Sequence, residues 1–312
     1  MNVFLDTLVT GLPLATAVLG IYMIFRLRED FDLTIDASFA MGAAVVATLL
    51  LHGWSVPTAM LAAIAAAGAM GLLTTALHLT LGVPVILAGL VMSIGFFSVN
   101  LRIMGEPSLN VVDVPTLFSG FADLPAREAD AWTALVLAAI VGVVFVALAL
   151  FLRTEVGLAL RATGVNERMA RSNGVDDRRL LALSLVIANG LAGLSGALVV
   201  QTQGFADVSM GNGTLIAGVG AVLLGELLVR PSGSKVVRIV LAVLLGTIAY
   251  RLVLVLALQL GLPATDLQGV TALTLVVAVA ARRWGVPLAG RTRAVVRRRV
   301  TVRPNRLSKE PV

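Results

Sequence analysis

The sequence contains no cysteine, only two histidines and few charged side chains. The absence of cysteine excludes disulfide bonds, thiolate metal sites and cysteine nucleophiles, and two isolated histidines give no metal-ligand spacing. Asp, Glu, Lys and Arg make up only 13% of the 312 residues, against about 25% in a soluble domain. That share is too small to cover the surface of a water-soluble protein of this length, so a soluble enzyme is excluded.

Long apolar stretches dominate the chain, and 58% of its residues are hydrophobic. A membrane-spanning helix needs about 20 consecutive apolar residues, and such stretches recur with short breaks from Leu8 to Ala281. The sequence therefore predicts an all-α, polytopic membrane protein with nine transmembrane helices, in a range of eight to ten. The predicted spans are residues 8–25, 33–51, 56–81, 84–101, 131–152, 180–202, 213–229, 236–258 and 267–281.

The few charges are distributed unequally between the connections. With the N-terminus outside and the C-terminus inside, the inner segments hold 21 of the 24 basic residues and the outer segments hold two. Because an excess of Lys and Arg marks the cytoplasmic side of a membrane protein, we expect this orientation. The net charge of +6 is therefore an orientation signal, and no nucleic-acid partner is expected.

Short segments of the two halves resemble each other. Residues 77–84 match residues 256–263, and residues 32–35 resemble residues 207–210. Because a repeat unit of five helices reverses its orientation, these matches predict inverted repeats with the substrate path between them. The alternative is a chance match between segments rich in Leu, Gly and Pro. The predicted organisation is a transmembrane domain of residues 1–281, with repeats 8–101 and 180–281 linked by span 131–152, and a basic cytoplasmic tail of residues 282–312.

The longest inner connection between two spans, residues 153–179, is called the coupling segment below. Gly157 and Gly164 are expected to break helical structure there, whereas Asn166 is expected to cap a short helix that Gly174 ends in the left-handed conformation. Six basic and four acidic residues favour docking on a protein over docking on anionic lipid, which selects basic residues alone. The alternative is a solvated loop that only follows the positive-inside rule.

The coupling segment also carries a family resemblance. Residues 157–166, followed by Ala170 and Gly174, resemble the coupling loop of permease subunits in the branched-chain amino acid and ribose group of ABC importers. Further matches lie at residues 189–196, 203–211, 224–226, 100–107 and 250–251. The last two matches, with residues 204–211, are most similar to a subgroup associated with the uptake of tryptophan, tyrosine or related amino acids.

This resemblance implies a transporter subunit rather than an enzyme, in the cytoplasmic (inner) membrane. It implies a second permease copy, as a homodimer or heterodimer, ATP-binding cassette subunits docked at the coupling segments, and a periplasmic or lipoprotein substrate-binding protein. ATP and Mg are then bound by the partner subunit, and no cofactor is expected in this chain. The implied coupling residues are Gly157, Arg161, Gly164, Asn166, Glu167, Arg168, Arg171 and Gly174.

The sequence lacks an ATP-binding motif, and this limits the possible energy sources for transport. The chain has no Gly-x-x-x-x-Gly-Lys-Ser/Thr loop to cradle ATP, so energy must come from a partner or from an ion gradient. Gradient coupling usually relies on ionisable residues within the membrane, and only Asp36, Glu226 and Arg251 fall within the predicted spans. This favours a partner ATPase. A gradient-driven secondary transporter is the alternative, and an intramembrane enzyme is disfavoured because the spans hold no catalytic constellation.

Arg251 is the strongest candidate for the translocation path. A charge in mid-span costs at least ~2.5 kcal/mol on insertion scales and therefore normally faces a partner or a wet cavity. The alternative is an interrupted helix in which Arg251 snorkels. Further path candidates, for which ordinary interfacial polarity is the alternative, are Asn100, Gln201 and Gln203.

The remaining singled-out residues are expected to be structural. Asp36 and Glu226 lie at helix ends, where they are expected to act as polar anchors rather than substrate ligands. The outer connection 102–130 is acidic and is expected either to dock a binding protein or to form a solvated lid. Small residues at three- and four-residue spacing are expected to pack helices closely; these are Asn189, Gly190, Gly193 and Gly196.

Overall fold

The computed structural model describes residues 3–121, 123–229 and 236–283. The predicted basic tail lies outside the described residues from residue 284 onward. The helices are α1 (Val3–Tyr22), α2 (Thr34–Leu51), α3 (Val56–Leu81), α4 (Val85–Met104), α5 (Ala126–Phe151), α6 (Glu155–Val165), α7 (Glu167–Ser172), α8 (Asp177–Gln203), α9 (Thr214–Leu228), α10 (Val236–Gln259) and α11 (Leu267–Arg283). A π-helical turn, Met23–Arg28, continues α1.

A helix lies at each of the nine predicted spans, and the all-α, polytopic fold is confirmed. Within the described residues, seven helices are long and apolar enough to cross a membrane. The other two apolar helices, α9 and α11, are shorter, with 15 and 17 residues. The orientation of the chain and the inverted repeat stay predictions.

Helix α8 is the centre of the bundle, and α1, α2 and α3 pack around it. Small residues permit the close approach of these helices. A Cβ on Gly196 would collide with the carbonyl oxygen of Phe39 in α2, and one on Gly42 would collide with the backbone of Gly193. The α2–α8 contact is therefore backbone against backbone, and it fixes the position of everything that α2 carries.

The chain re-enters the bundle after α1. Arg28 is paired with Asp177, the first residue of α8, whereas Asp32 accepts a hydrogen bond from Asn189, twelve residues further along α8. At a rise of 1.5 Å per residue, those two points on α8 are about 18 Å apart. Glu29, with a φ of 60°, reverses the chain between them. Helix α2 therefore begins near the middle of the bundle rather than at its inner surface.

Helix α9 also begins in the interior. The Asp36 carboxylate in the first turn of α2 accepts hydrogen bonds from the backbone N–H groups of Gly213, at 3.1 Å, and Leu215, at 2.7 Å. The two helix starts are thereby joined by one side chain. Interrupted helices of this kind surround the substrate path in many transporters.

A small antiparallel sheet joins the outer connection to the end of α8. Strand β1 (Ser108–Asn110) pairs with β2 (Phe205–Asp207), with Leu109 opposite Ala206. The outer connection is thus held by backbone hydrogen bonds at this point. Whether it docks a binding protein stays a prediction.

Candidate coupling surface and translocation cavity

The coupling segment forms two short helices, α6 and α7, joined at Asn166. The Asn166 side chain accepts a hydrogen bond from the backbone N–H of Met169 at 3.0 Å and so caps α7, as expected. Thr154 caps α6 in the same way by accepting from the N–H of Gly157 at 3.3 Å. Gly174, with a φ of 81°, adopts the left-handed conformation just after α7. Side-chain caps therefore fix the angle between the two helices.

The expectation that Gly157 and Gly164 break helical structure is wrong, because α6 runs through both. A Cβ on Gly157 would collide with the carbonyl oxygen of Phe151, and one on Gly164 would collide with the carbonyl oxygen of Leu27. The two glycines allow α6 to lie directly on the end of α5 and on the π-helical turn. Tertiary packing offsets their low helix propensity, which is roughly 1 kcal/mol per glycine.

Ion pairs link the coupling segment to the transmembrane helices. The Arg28 guanidinium lies 3.0 Å from Asp177, and both side chains are only 8% exposed. Arg28 also reaches the Thr163 hydroxyl of α6 at 3.5 Å. Arg171 of α7 pairs with Glu167 and, at 3.5 Å, with Asp177. The coupling segment is therefore bonded directly to the first residue of α8 and to the turn that follows α1.

Arg161 and Arg168 differ in their surroundings. Arg161 donates to the carbonyl oxygen of Leu152 at 3.1 Å and so holds α6 against the end of α5. Arg168, by contrast, is exposed. Two apolar side chains lie beside it without cover, since Val165 is 88% exposed and Met169 is 65% exposed. Together with Glu167 and Arg168, they form the exposed surface of the joint between α6 and α7.

The central cavity lies between α1, α2, α8, α9, α10 and α11 and has a volume of about 470 Å³. Arg251 projects into it from α10, eight residues before the last residue of that helix, Gln259. Among the described residues, Arg251 makes no ion pair, and its Nε is buried without a hydrogen-bond partner. The cavity wall thus contains a guanidinium whose Nε has no hydrogen-bond partner among the described residues.

The rest of the cavity wall combines polar and apolar side chains. Exposed Gln203, Asn212 and Gln268 lie on it, and the hydroxyl of Tyr250 hydrogen-bonds to that of Thr271 at 2.8 Å. No Asp or Glu is among the described residues that line the cavity. The apolar wall consists of Leu14, Val18, Phe39, Val199, Met210, Ile216, Ala217 and Leu254.

The four predicted path residues separate into two pairs. Gln203 and Arg251 line the central cavity, but Asn100 and Gln201 do not. Asn100 is buried and donates to the carbonyl oxygen of Ala37 at 3.4 Å. Gln201 is buried, and its side-chain oxygen accepts from the N–H of Leu117 at 3.0 Å. These two amides therefore tie α4 and the outer connection to the core.

Asn189 was expected to serve close helix packing, but it also forms hydrogen bonds with two polar side chains. These partners were not predicted from the sequence. Its amide donates to Asp32 at 2.7 Å, and its side-chain oxygen accepts from the Ser38 hydroxyl at 2.7 Å. The available signal was the match between residues 32–35 and 207–210, because both segments begin with an Asp that accepts a backbone N–H two residues later. These bonds join Asp32 to Thr34 at 2.9 Å and Asp207 to Ser209 at 2.8 Å.

Glu226 and Asp36 hold helices together, consistent with their expected role as anchors. Glu226 forms a two-pronged ion pair with Arg26, with oxygen to nitrogen distances of 2.5 and 2.8 Å. This pair fixes the C-terminal end of α9 to the π-helical turn, while Asp36 fixes the N-terminal end of the same helix in the interior of the bundle. Helix α9 is thus anchored by a carboxylate at each end.

Comparison with known proteins identifies the family of the chain. Residues 3–280 match the family described as branched-chain amino acid transport system / permease component. The chain belongs to this permease family. The permease is therefore a multi-pass membrane component of an ABC-type transport system.

Curated relatives of the permease include two that match most of its length. A protein of Clostridioides difficile (strain R20291) named tyrosine transport system permease protein is 32% identical over 289 residues, which are 92% of the permease and 94% of that protein. An uncharacterized protein of Rickettsia prowazekii (strain Madrid E) is 30% identical over 89% of the permease and 97% of that protein.

A third relative matches less of the permease. The galactofuranose transporter permease protein of Escherichia coli (strain K12) is 24% identical over 208 residues, covering 66% of the permease and 58% of that protein. No solved structure matches the permease significantly. Two of these relatives are thus named for transport of different small solutes, an amino acid and a sugar.

Proposed function

We propose that this chain is the membrane-spanning subunit of an ABC importer that moves a small, amino-acid-like solute across the cytoplasmic membrane. The observation that carries the proposal is the exposed joint between α6 and α7, where Val165 and Met169 lie uncovered beside Glu167 and Arg168. Apolar side chains ringed by charges are typical of the centre and rim of a protein interface. The relative named for tyrosine transport supports an amino-acid-like solute.

In the proposed importer, several partner chains carry out separate steps of transport. An ATP-binding cassette subunit binds and hydrolyses ATP with Mg and docks on the coupling segment. A second permease copy completes the pathway, and a substrate-binding protein delivers the solute at the outer side. The permease itself contributes no covalent chemistry, because it only opens its pathway alternately to each side.

The movement that ATP hydrolysis drives in the partner subunit is transmitted to the transmembrane helices through a small set of contacts. Movement of α6 pulls on the turn that follows α1, because Gly164 lies against Leu27 and Thr163 is bonded to Arg28. Arg28 passes the displacement to Asp177 and hence to α8. Since α1 and α8 both line the central cavity, its shape changes with the position of the coupling segment.

Docking is tested by charge introduction at the exposed joint. Val165→Asp places a carboxylate at the centre of the proposed interface, so we expect loss of the ATPase subunit when tagged permease is purified from detergent. Val112→Asp is the matched control, because Val112 is also an exposed valine (68%) but follows β1 in the outer connection. Equal recovery of the ATPase with both variants would contradict docking at this joint.

A gradient-driven secondary transporter is the second candidate, and one observation favours it. Asp32 is 1% exposed and lies at the midpoint of α8, so the bundle holds an interior carboxylate that the sequence did not reveal as intramembrane. Interior carboxylates can carry protons in gradient-driven transporters. Transport by the purified chain alone, abolished by an uncoupler, would establish this alternative and exclude the ATP-driven one.

A further inference from the structure

We infer that the central cavity is a transit site for the carboxylate group of the solute and that Arg251 is the residue that binds it. This inference rests on the proposed importer function and adds the residue that binds the carboxylate of the solute. Three features of the described residues carry it: the unpartnered Nε of Arg251, the absence of an acid from the cavity wall, and the presence of both polar and apolar side chains on that wall.

The first feature is a partly buried cation, with a buried Nε, that has no counter-charge among the described residues. An arginine side chain stays protonated under all physiological conditions, and burying a charge is costly unless a partner compensates it. Among the described residues, none forms an ion pair with Arg251, and its Nε has no hydrogen-bond partner. An anion in the cavity would supply both the missing charge and the missing acceptor.

The nearby acids are engaged or placed elsewhere. Asp36 accepts the N–H groups of Gly213 and Leu215 at the start of α9, so its oxygens are directed at the backbone. Asp6, whose Oδ2 is also buried without a hydrogen-bond partner, lies with Asp130 in a separate notch beside Val255 and Gln259 of α10. Since none of these acids lines the central cavity, Arg251 sets the sign of the charge that the cavity accepts.

The geometry of the cavity fits a small organic acid. Its volume of about 470 Å³ lies in the range of small-molecule sites, which is roughly 300–1,000 Å³. Arg251 is eight residues, or about 12 Å along the helix, before the end of α10, and the exposed amides of Gln203 and Gln268 lie on the same cavity wall. A solute in the cavity can therefore contact a guanidinium and neutral amides.

The cavity wall also selects the part of the solute that is attached to the carboxylate. Arg251 offers a planar fork that matches a carboxylate with two parallel hydrogen bonds. Leu14, Val18 and Phe39 line the same cavity and can cover an apolar or aromatic body. The paired hydroxyls of Tyr250 and Thr271 provide polar contacts beside the guanidinium. An amino acid with a large apolar side chain satisfies all three surfaces at once.

Two probes that share a body and differ in charge test this assignment. Binding of 3-phenylpropanoate and of 3-phenylpropylamine is measured on the full-length chain purified with its ATPase partner and without a binding protein. The variants are Arg251→Gln, Arg251→Lys and the control Arg102→Gln, which alters an exposed arginine outside the cavity. Size-exclusion chromatography and thermal unfolding check the folding of each variant.

We expect the wild-type protein and Arg102→Gln to bind the carboxylate at least about tenfold more tightly than the amine. Arg251→Gln should weaken binding of the carboxylate by at least about tenfold, and Arg251→Lys should fall between. Equal binding of both probes, unchanged binding in Arg251→Gln, or no binding to the wild type would each overturn the inference. Should Arg251→Gln misfold, the probe pair on the wild type and the lysine variant decide.

The same preparations distinguish failure of this inference from failure of the proposed function. The ATPase subunit either co-purifies with the wild-type chain or does not, and that result does not depend on either probe. Co-purification with no preference for the carboxylate would remove the transit site and leave the importer intact. A carboxylate preference without any ATPase subunit would leave the site and remove the ATP-driven function.

Discussion

At the scale of single residues, glycine positions decide how closely the helices approach. The same substitution has opposite consequences at two neighbouring turns of α8. A Cβ on Gly190 would meet Ile64 at 3.5 Å, an ordinary contact, whereas a Cβ on Gly196 would collide with the carbonyl oxygen of Phe39. A flexible side chain can move aside, but the backbone of a packed helix cannot do so without disturbing its own hydrogen bonds.

Gly196→Ala is therefore expected to destabilise the permease by about 1–3 kcal/mol through overpacking. Gly190→Ala is the matched control, and it should be neutral or stabilising by up to about 1 kcal/mol because alanine favours the helix. Thermal unfolding of the detergent-purified proteins measures the difference. Equal losses in the two variants would mean that α2 and α8 are not in backbone contact.

Replacement of Asn189 is expected to destabilise the permease about as much as replacement of Gly196, for a different physical reason. Asn189→Ala removes the donor to Asp32 and the acceptor for Ser38, leaving a buried carboxylate with one partner fewer. Loss of a hydrogen-bond partner by a buried polar group costs about 1–3 kcal/mol, and more when that group is charged. Unfolding measurements on this variant should show a loss similar to that of Gly196→Ala. A loss below about 1 kcal/mol would show that Asp32 is not held by Asn189.

At the scale of elements, the π-helical turn and the coupling segment act as one unit. Arg28 is enclosed between α6 and α8, and it is the side chain that bonds to both. Surface ion pairs contribute little, but an ion pair that is largely buried fixes the geometry of what it joins. Replacing Arg28 therefore changes the connection between the docking surface and the pathway, while the docking surface itself stays intact.

Arg28→Gln should reduce solute transport per ATP hydrolysed by several-fold while the ATPase subunit still co-purifies. Arg179→Gln is the matched control, since Arg179 is 88% exposed and pairs with Asp176 at the surface, where an ion pair contributes about 0–1 kcal/mol. Uptake and ATP hydrolysis are measured together in proteoliposomes that contain the complete system. Unchanged coupling in Arg28→Gln would contradict transmission through this contact.

At the scale of the whole molecule, the number and position of the apolar helices could be predicted because they depend on local composition. Each apolar run in the sequence became a helix with ends within a few residues of those expected. The re-entry of the chain before α2 could not be predicted in the same way. Asp32 looks like one more loop acid in the sequence, and only its contact with Asn189 places it in the interior.

The candidate site shows the same division between local and tertiary information. Asn166 follows a local rule and caps α7 where the sequence places it. The roles of Gly157 and Gly164 depend on tertiary packing. Gly157 lies against Phe151 and Gly164 lies against Leu27, and no local sequence pattern predicts these contacts. Likewise, Arg251 and Gln203 lie on one cavity wall although they are distant in sequence, whereas Gln201, two residues from Gln203, does not reach it.

The most direct test of the account is transport by the reconstituted permease, with and without its ATPase and binding-protein partners, in proteoliposomes that contain ATP and no ion gradient. The account predicts uptake of an amino-acid-like carboxylate by the complete system, no uptake by the permease alone, and no effect of an uncoupler. Uptake by the permease alone that collapses when an uncoupler is added would contradict it.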